Sequence, residues 1–227
     1  MPAVKPLVIV GGGMHGRVVL DIAKTLQWPV AGFLDDLRET GSRVDDQVVL
    51  GNTGRLSDIA FTDRHRFHVA IGNNTARRRF ADDLRARGSE VVTLIHPSAW
   101  VSPTATIGSG TVLVGANMVF SAAWIGNDVL IDPDTTIGAN SRIEDGVYLC
   151  PGCHLGANVT CEEECFLGIG AVAIPNVVIG RRAVVGAGAV VIRNIPQGKL
   201  AVGNPAHVKG DAVLDDFSPY PARRRED

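Results

Sequence analysis

A six-residue repeat constrains this chain more than any other feature. Stepping by six from Ile95 gives Val101, Ile107, Leu113, Val119, Ile125, Ile131, Ile137, Ile143, Leu149, Leu155, Cys161, Leu167, Ala173, Ile179, Val185 and Val191. Fifteen of the seventeen are Ile, Leu or Val, with Cys161 and Ala173 the departures. Two residues before each step stands a small or slim side chain, such as Ala105, Thr111, Ala123, Thr135, Ser141, Ala171 or Ala183. One residue after it glycine recurs, at Gly108, Gly126, Gly138, Gly156, Gly168, Gly180 and Gly186.

A period of six matches neither an α-helix nor the alternation of a flat strand. It matches a coil with three flat sides, one hexad to a side. The aliphatic residue then points inward and stacks on its counterpart one coil away. The small residue also points inward, where the corner is cramped, and the glycine or another turn-former is expected to let the backbone bend. Between five and six such coils would form a prism about 27 Å tall at ~4.8 Å per coil. A β-sandwich would instead show short runs of period two at irregular spacing. The expected architecture is a left-handed parallel β-helix over residues 93–193, all β.

The first 92 residues read differently. Leu7-Val8-Ile9-Val10 is a short apolar run suited to a buried parallel strand, and Gly11-Gly12-Gly13-Met14-His15-Gly16 follows it. Val18, Val19, Leu20, Ile22, Ala23 and Leu26 then take helical spacing, and Pro29 to Leu34 reads as a second strand ending in Asp35-Asp36. This is a βαβ start with G-x-G-x-x-G in its first turn and acidic residues about twenty positions on, an α/β Rossmann-like unit. Amides at such a helix N-terminus favour a phosphate. The unit is half the size that dinucleotides need, so one nucleotide or a nucleotide diphosphate suits it better than NAD. A tight turn without ligand is the alternative. Phe67 to Ile71 reads as another strand, Thr75 to Gly88 as a basic helix, and Glu90 to Leu94 as a strand leading into the coils. Arg77, Arg78, Arg79, Arg85 and Arg87 are expected on a solvated helix face.

With 22 basic and 24 acidic residues, the chain has no electrostatic footprint for nucleic acid. No apolar run approaches a membrane span and the first residues lack a secretory apolar region, so the expected location is the cytoplasm. Cys150, Cys153, Cys161 and Cys165 form C-x2-C-x7-C-x3-C, a zinc-like spacing. Their hexad phases spread them over different sides of the prism, so core packing is expected and no metal. Residues 194–227 form a C-terminal segment, charged from about Asp211 and expected to be partly disordered.

The stretches Val8 to Gly16, Phe33 to Asp36, Ala70 to Asn74, Ile95 to Ala99, Cys165 to Gly170 and Gly203 to Ala206 come in a known order and spacing. Over about residues 5–210 the chain resembles bacterial nucleotide-sugar N-acetyltransferases acting on 4-amino-4,6-dideoxy sugars. The repeat alone is shared by many acyltransferases; its pairing with this N-terminal unit is more specific. The resemblance implies a homotrimer with acetyl-CoA lying along the β-helix between adjacent subunits, and a nucleotide-activated amino sugar held by the N-terminal unit. It places Gly11, Gly13, His15 and Gly16 at the diphosphate, Asp35 and Asp36 near the base or ribose, and Asn73 nearby. It puts backbone groups of Gly168, Ile169 and Ala187 on the coenzyme's pantetheine.

The pattern breaks at the base. The family's histidine, which takes the amine proton, falls on Ala139, followed by Asn140; a second family histidine falls on Tyr148. Three readings stay open. The amine can react without a base, since it is partly neutral near neutral pH. A base can be relocated, with His154, Asn140 or Tyr148 as candidates and Asp132 and Asp134 also near the expected site. Or the chain binds a nucleotide-sugar without turnover. O-acylation of a sugar hydroxyl is a further alternative, disfavoured because a hydroxyl needs the missing base more than an amine does.

Overall fold

In the computed structural model, which describes residues 4–213, the chain begins as a parallel α/β layer and continues as a stack of coils. β1 (Leu7–Val10) is fully buried, as four consecutive apolar residues must be when both faces of a central strand are covered. α1 (Met14–Thr25) buries Gly16, Val19, Leu20, Ile22 and Ala23 along one face. Gln27 then takes a left-handed φ of 55°, which ends the helix before Pro29. β2 (Val30–Leu34) returns parallel to β1.

The next thirty residues had no reading from the sequence. They hold an antiparallel pair, β3 (Arg43–Val44) and β4 (Gln47–Gly51), then a 3-10 turn and the short α2 (Ile59–Thr62). Asp45-Asp46 between Val44 and the apolar Val48-Val49-Leu50 was the available turn signal, and Asp45 has φ 53°. β5 (Arg66–Val69) then lies on the other side of β1. The sheet order is β3-β4-β2-β1-β5. Because β2 and β5 flank β1 on opposite sides, a crevice opens beyond the carboxyl ends of β1 and β5.

α3 (Asn74–Ala86) follows, with the Asn73 side chain accepting from the Ala76 N–H. Seventeen two-residue strands come next, from β6 (Leu94–Ile95) to β22 (Val190–Val191). From β6 to β19 each pairs in parallel with the strand eighteen residues on, as Thr136 with His154 and Ile137 with Leu155. Three sheets result, one for each face of a hexapeptide-repeat β-helix. Ile125, Ile131, Ile137, Ile143 and Leu149 stack inside with no exposure. β23 (Lys199–Val202) and the antiparallel β24 (His207–Asp211) extend the first face. The expectation of poor order beyond residue 213 lies outside the described residues.

Two expectations are corrected. The glycines just after the inward residues do not make the bend. That task falls two positions later, at left-handed residues such as Ala116, Ala122, Asp128, Asp134 and Asn140, alternating with Gly110, Gly146 and Gly152. Asp128, Asp134 and Asn140 there donate their N–H to the coil before, to Ser109, Gly115 and Ser121. The earlier glycines serve close approach instead: a Cβ on Gly138 would lie 2.4 Å from the Gly156 backbone, and one on Gly108 2.5 Å from Gly126.

Arg77, Arg78 and Arg85 turn toward the β-helix instead of forming a solvated face, while Arg79 and Arg87 stay exposed as expected. Arg77 is 1% exposed. Its guanidinium donates to the carbonyls of Ile71 and Gly72 in the α/β unit and to those of Asp128, Gly146 and Val147 on the β-helix. Arg78 reaches Glu163 and Glu164, and Arg85 reaches Asp128. The α/β unit thus covers the first face of the prism, whose outward Val112, Leu130, Tyr148, Phe166 and Val184 are all buried. On the second face Trp100, Met118 and His154 stay exposed.

Candidate active site

The glycine loop lies at the crevice. Gly11 has φ 105°, and a Cβ there would sit 2.7 Å from the Ala70 carbonyl oxygen. At Gly16 a Cβ would meet the Gly11 oxygen at 2.0 Å, so this glycine sets how closely α1 packs on β1. Gly13 is the N-cap of α1, exposed, with no atom within 4 Å of where a Cβ would stand. No side chain caps the helix, so its first amides are open to an anion.

The acidic pair serves the loop. Asp35 accepts the Gly12 N–H at 2.7 Å and the Leu37 N–H at 2.9 Å. Asp36 accepts both the N–H and the hydroxyl of Thr53. Asp35 thereby fixes the loop's shape, and Asn73 caps the helix on the opposite rim.

Behind the loop lies a feature that the sequence did not announce. His15 Nε2 and His68 Nε2 are both buried without a hydrogen-bond partner. His68 Nδ1 is 3.0 Å from the Val92 carbonyl, so that nitrogen carries the proton. Burial, then His68, then Arg77 hold His15 well below the usual histidine range. Burial also pushes His68 down to about 4, against its bond to Val92 and with the help of Arg77. Arg77 is lowered by burial to about 10, which still leaves it charged at neutral pH. Both rings are therefore neutral beside a fixed cation.

Across the domain boundary stands a second cluster. The Tyr148 hydroxyl donates to Asp132 Oδ2 at 2.9 Å, and its ring packs edge-on against Phe166. Burial raises the Asp132 carboxyl to about 6, although Tyr148 and Arg77 pull it down. Tyr148 and Cys150 are both pushed far up by burial and by Asp132. The sixteen residues between Asp132 and Tyr148 are one coil less two, a diagonal between neighbouring strands, and that spacing was the signal in the sequence.

Gly168, Ile169 and Ala187 come together at one corner of the prism. A Cβ on Gly168 would sit 2.7 Å from the Ala187 nitrogen, and Ile169 is 61% exposed. Asp132 lies on the same edge. Ile131, Leu149 and Leu167 are in register, and Asp132, Cys150 and Gly168 follow them in turn. Asp132 is thus two coils from Gly168, about 10 Å by strand spacing. Ala139 and the exposed Asn140 are at the next corner, beyond the second face. His154 is exposed on that second face, stacked over Thr136 with Nδ1 3.2 Å from its hydroxyl. His154 and Asn140 are thus apart from the Asp132–Tyr148 pair within one chain.

The four cysteines are buried. Cys153 contacts the carbonyls of Leu167 and Gly168, and the free thiols of Cys161 and Cys165 are neighbours inside the prism. Burial pushes the Cys153 thiol up to about 12. Among the described residues no group of three or more His, Cys, Asp or Glu could hold a metal ion.

An α/β unit with an open glycine loop, docked on a hexapeptide-repeat β-helix, defines a two-part acyltransferase scaffold. Residues 6–84 match the PglD N-terminal domain, residues 122–157 the bacterial transferase hexapeptide repeats, and residues 159–193 the hexapeptide repeat of succinyl-transferase. Perosamine N-acetyltransferase from Caulobacter crescentus, solved as a histidine-to-asparagine mutant with CoA and GDP-perosamine, is 35% identical with a TM-score of 0.87. That match covers 92% of this chain and 99% of that one. The acetyltransferase domain of PglB from Neisseria gonorrhoeae, solved with acetyl coenzyme A, is 34% identical with a TM-score of 0.86, covering 91% and 100%. UDP-N-acetylbacillosamine N-acetyltransferase of Bacillus subtilis is 33% identical over 117 residues, 48% of this chain and 51% of that protein, so the match spans about half of this curated relative. The chain belongs to this family of nucleotide-sugar N-acetyltransferases.

Proposed function

We propose that this protein transfers the acetyl group of acetyl-CoA to the amine of a nucleotide-linked 4-amino-4,6-dideoxy sugar. The observation that carries the reading is the uncapped α1 N-terminus at Gly13, opening at the crevice between β1 and β5. There Gly11, Gly13, His15 and Gly16 would receive the diphosphate. Asp35 and Asp36 would shape the ribose side from below the loop, with Asn73 on the far rim. Gly168, Ile169 and Ala187 would line the pantetheine at their shared corner. The protein would act in the cytoplasm, where both substrates are made; no helix among the described residues is long and apolar enough to cross a membrane.

The working form would be a homotrimer. Trp100, Met118 and Phe120 form an exposed apolar cluster on the second face, with the Trp100 and Phe120 rings 5.6 Å apart. A second copy would bury such a patch, and sedimentation tests it. A monomer at micromolar concentration rules the trimer out.

Ala139 stands where the family's histidine would, so the amine must lose its proton elsewhere. Positioning and backbone oxyanion donors supply much of acyl-transfer catalysis, and neither depends on that side chain. The test is thiol release from acetyl-CoA with UDP-, GDP- and dTDP-linked 4-amino-4,6-dideoxy sugars. Acceptor-dependent release on one of them establishes the activity and selects the nucleotide. A folded protein that binds a nucleotide-sugar tightly yet releases no thiol would instead be a silent binder.

A further inference from the structure

We propose that Asp132, held in place by Tyr148, accepts the proton of the sugar amine in this chain. The proposal rests on the acetyl-transfer reading above and adds to it the group that does the work of a base.

Three observations meet at this carboxylate. The first is its place. Asp132 lies on the edge that carries Gly168, two coils nearer the start of the prism. A pantetheine arm contacting Gly168 and Ile169 and running up that edge would bring its thioester toward Asp132. The second is its link to the crevice. Arg77 donates to Ile71 and Gly72 at the crevice rim and to Val147, the residue before Tyr148. One guanidinium therefore spans from the glycine-loop side to the Asp132–Tyr148 pair. The third is a free oxygen. Tyr148 occupies Oδ2, while Oδ1 has no hydrogen bond among the described residues and is not sealed from solvent. A base needs such a site for the incoming proton.

The groups facing Asp132 leave it as the one that titrates near neutral pH. Tyr148 and Cys150 are held protonated by burial, and Arg77 stays charged. A carboxyl raised to about 6 is a far stronger base than an ordinary aspartate, and general bases work best close to the operating pH.

The step balances as follows. The neutral amine nitrogen attacks the thioester carbonyl carbon; the C–N bond forms and the C–S bond breaks. The nitrogen's proton passes to Asp132 Oδ1, and CoA departs as thiolate. Protonated Asp132 then yields that proton to the thiolate or to water, giving the amide and the CoA thiol. Tyr148 touches no reacting atom in this scheme. It is a positioning residue whose hydrogen bond aims the carboxylate and keeps its basicity from rising further.

The experiment compares wild type, Asp132→Asn and Tyr148→Phe in acetyl transfer to the accepted nucleotide-sugar between pH 5 and 9. Acetyl-CoA affinity, measured calorimetrically, controls for folding. Asp132→Asn should keep its acetyl-CoA affinity and lose about 100-fold or more in kcat. The wild-type kcat profile should fall on an acid limb near pH 6, and Asp132→Asn should lack that limb. Tyr148→Phe removes a donor that both aims the carboxyl and lowers it, so its limb should move to higher pH and its plateau kcat should fall, by less than in Asp132→Asn. An Asp132→Asn enzyme within twofold of wild type, with the same profile, overturns the assignment while leaving acetyl transfer intact. No turnover by the wild type on any acceptor overturns the reading beneath it as well.

Discussion

Arg77 Nη2 donates to the Gly146 carbonyl at 2.9 Å, across the boundary between the α/β unit and the β-helix. The same side chain also bonds Asn74 Oδ1, and Asn74 in turn donates to the carbonyls of Glu164 and Cys165. At the prism's corner the Asp128, Gly146 and Glu164 carbonyls take no coil-to-coil bond and accept from the α/β unit instead, while Val147 and Cys165 also accept from Leu130 and Tyr148 of the neighbouring coil. Removing Arg77 would strand several buried acceptors together, and a stranded buried group typically costs about 1–3 kcal/mol. Arg77→Ala should therefore lower unfolding free energy by about 3 kcal/mol or more in urea titrations. Arg77→Lys keeps the charge but lacks the planar fork, and it should recover only part of that loss. Unchanged stability in both variants would mean that the apolar contacts alone hold the two units together.

The repeat was legible because nothing competes with it. An inward aliphatic every six residues has one geometric solution over this length. Arg77 was misread because charge was given more weight than spacing. Asn74, Arg77, Ala81 and Leu84 are the buried residues of α3 and follow helical intervals, so the stripe itself marked Arg77 as inward. The glycine roles were misread because composition shows where glycine stands and not which constraint, φ or close approach, put it there. The Asp132–Tyr148 bond lies within the β-helix, on a diagonal that the repeat spacing carries, whereas His15 and His68 come together only because α1 and β5 both pack about β1 in the α/β unit. No local pattern reports the meeting of the two histidines.

Gly13 and Gly16 share a loop but answer to different constraints, and a pair of alanine variants separates them. Gly16→Ala places a Cβ where the Gly11 oxygen already is, so α1 must move away from β1. Its midpoint of thermal unfolding should fall by several degrees. Gly13→Ala meets nothing, has an ordinary φ of −77°, and should change stability by less than about 1 kcal/mol. A diphosphate seated on the open amides would nonetheless meet the new methyl. Nucleotide-sugar affinity, read by calorimetry, should drop about tenfold or more. Undiminished affinity in Gly13→Ala would place the diphosphate elsewhere.

Acid should act against the protein's stability through the buried histidines, over a window that they set. His68 drops from an ordinary 6.5 to about 4 on folding. Between those values the unfolded chain binds a proton that the folded chain refuses, so stability falls as pH falls through them. His15, also depressed, acts in the same direction. Asp132 acts oppositely. Its folded value of about 6 lies above the ordinary 3.8, so it gains stability on acidification within that interval. Asp128, raised as well, sides with Asp132, so the histidine contribution is read from a variant and not from the total. Asn at position 68 can still offer an N–H to the Val92 carbonyl but cannot take up a proton. The stability lost between pH 7 and 5 should be smaller in His68→Asn by about 2 kcal/mol. Parallel denaturation curves for wild type and variant at both pH values would show that His68 does not govern acid sensitivity.

Arg85 and Asp128 offer the sharpest test of how the corner is built. The guanidinium meets both carboxylate oxygens, at 2.8 and 2.7 Å. The Asp128 side chain is 2% exposed, and burial raises its pKa even against this partner. Asp128 also carries a left-handed φ of 55°, while the equivalent corners one coil away on either side are Gly110 and Gly146. Arg85→Ala leaves a buried carboxylate without its cation and should cost about 3 kcal/mol at pH 7. The cost should shrink toward pH 5, because the unpaired carboxyl rises further and takes up a proton. Asp128→Gly removes the charge and suits the backbone, so it should cost far less. In that glycine background, Arg85→Ala should be nearly neutral. A double-mutant cycle in urea reads the difference as a coupling of about 2 kcal/mol or more. Equal costs for Arg85→Ala in both backgrounds would trace its contribution to Ser109 and Asp82, its other partners, and not to the buried carboxylate.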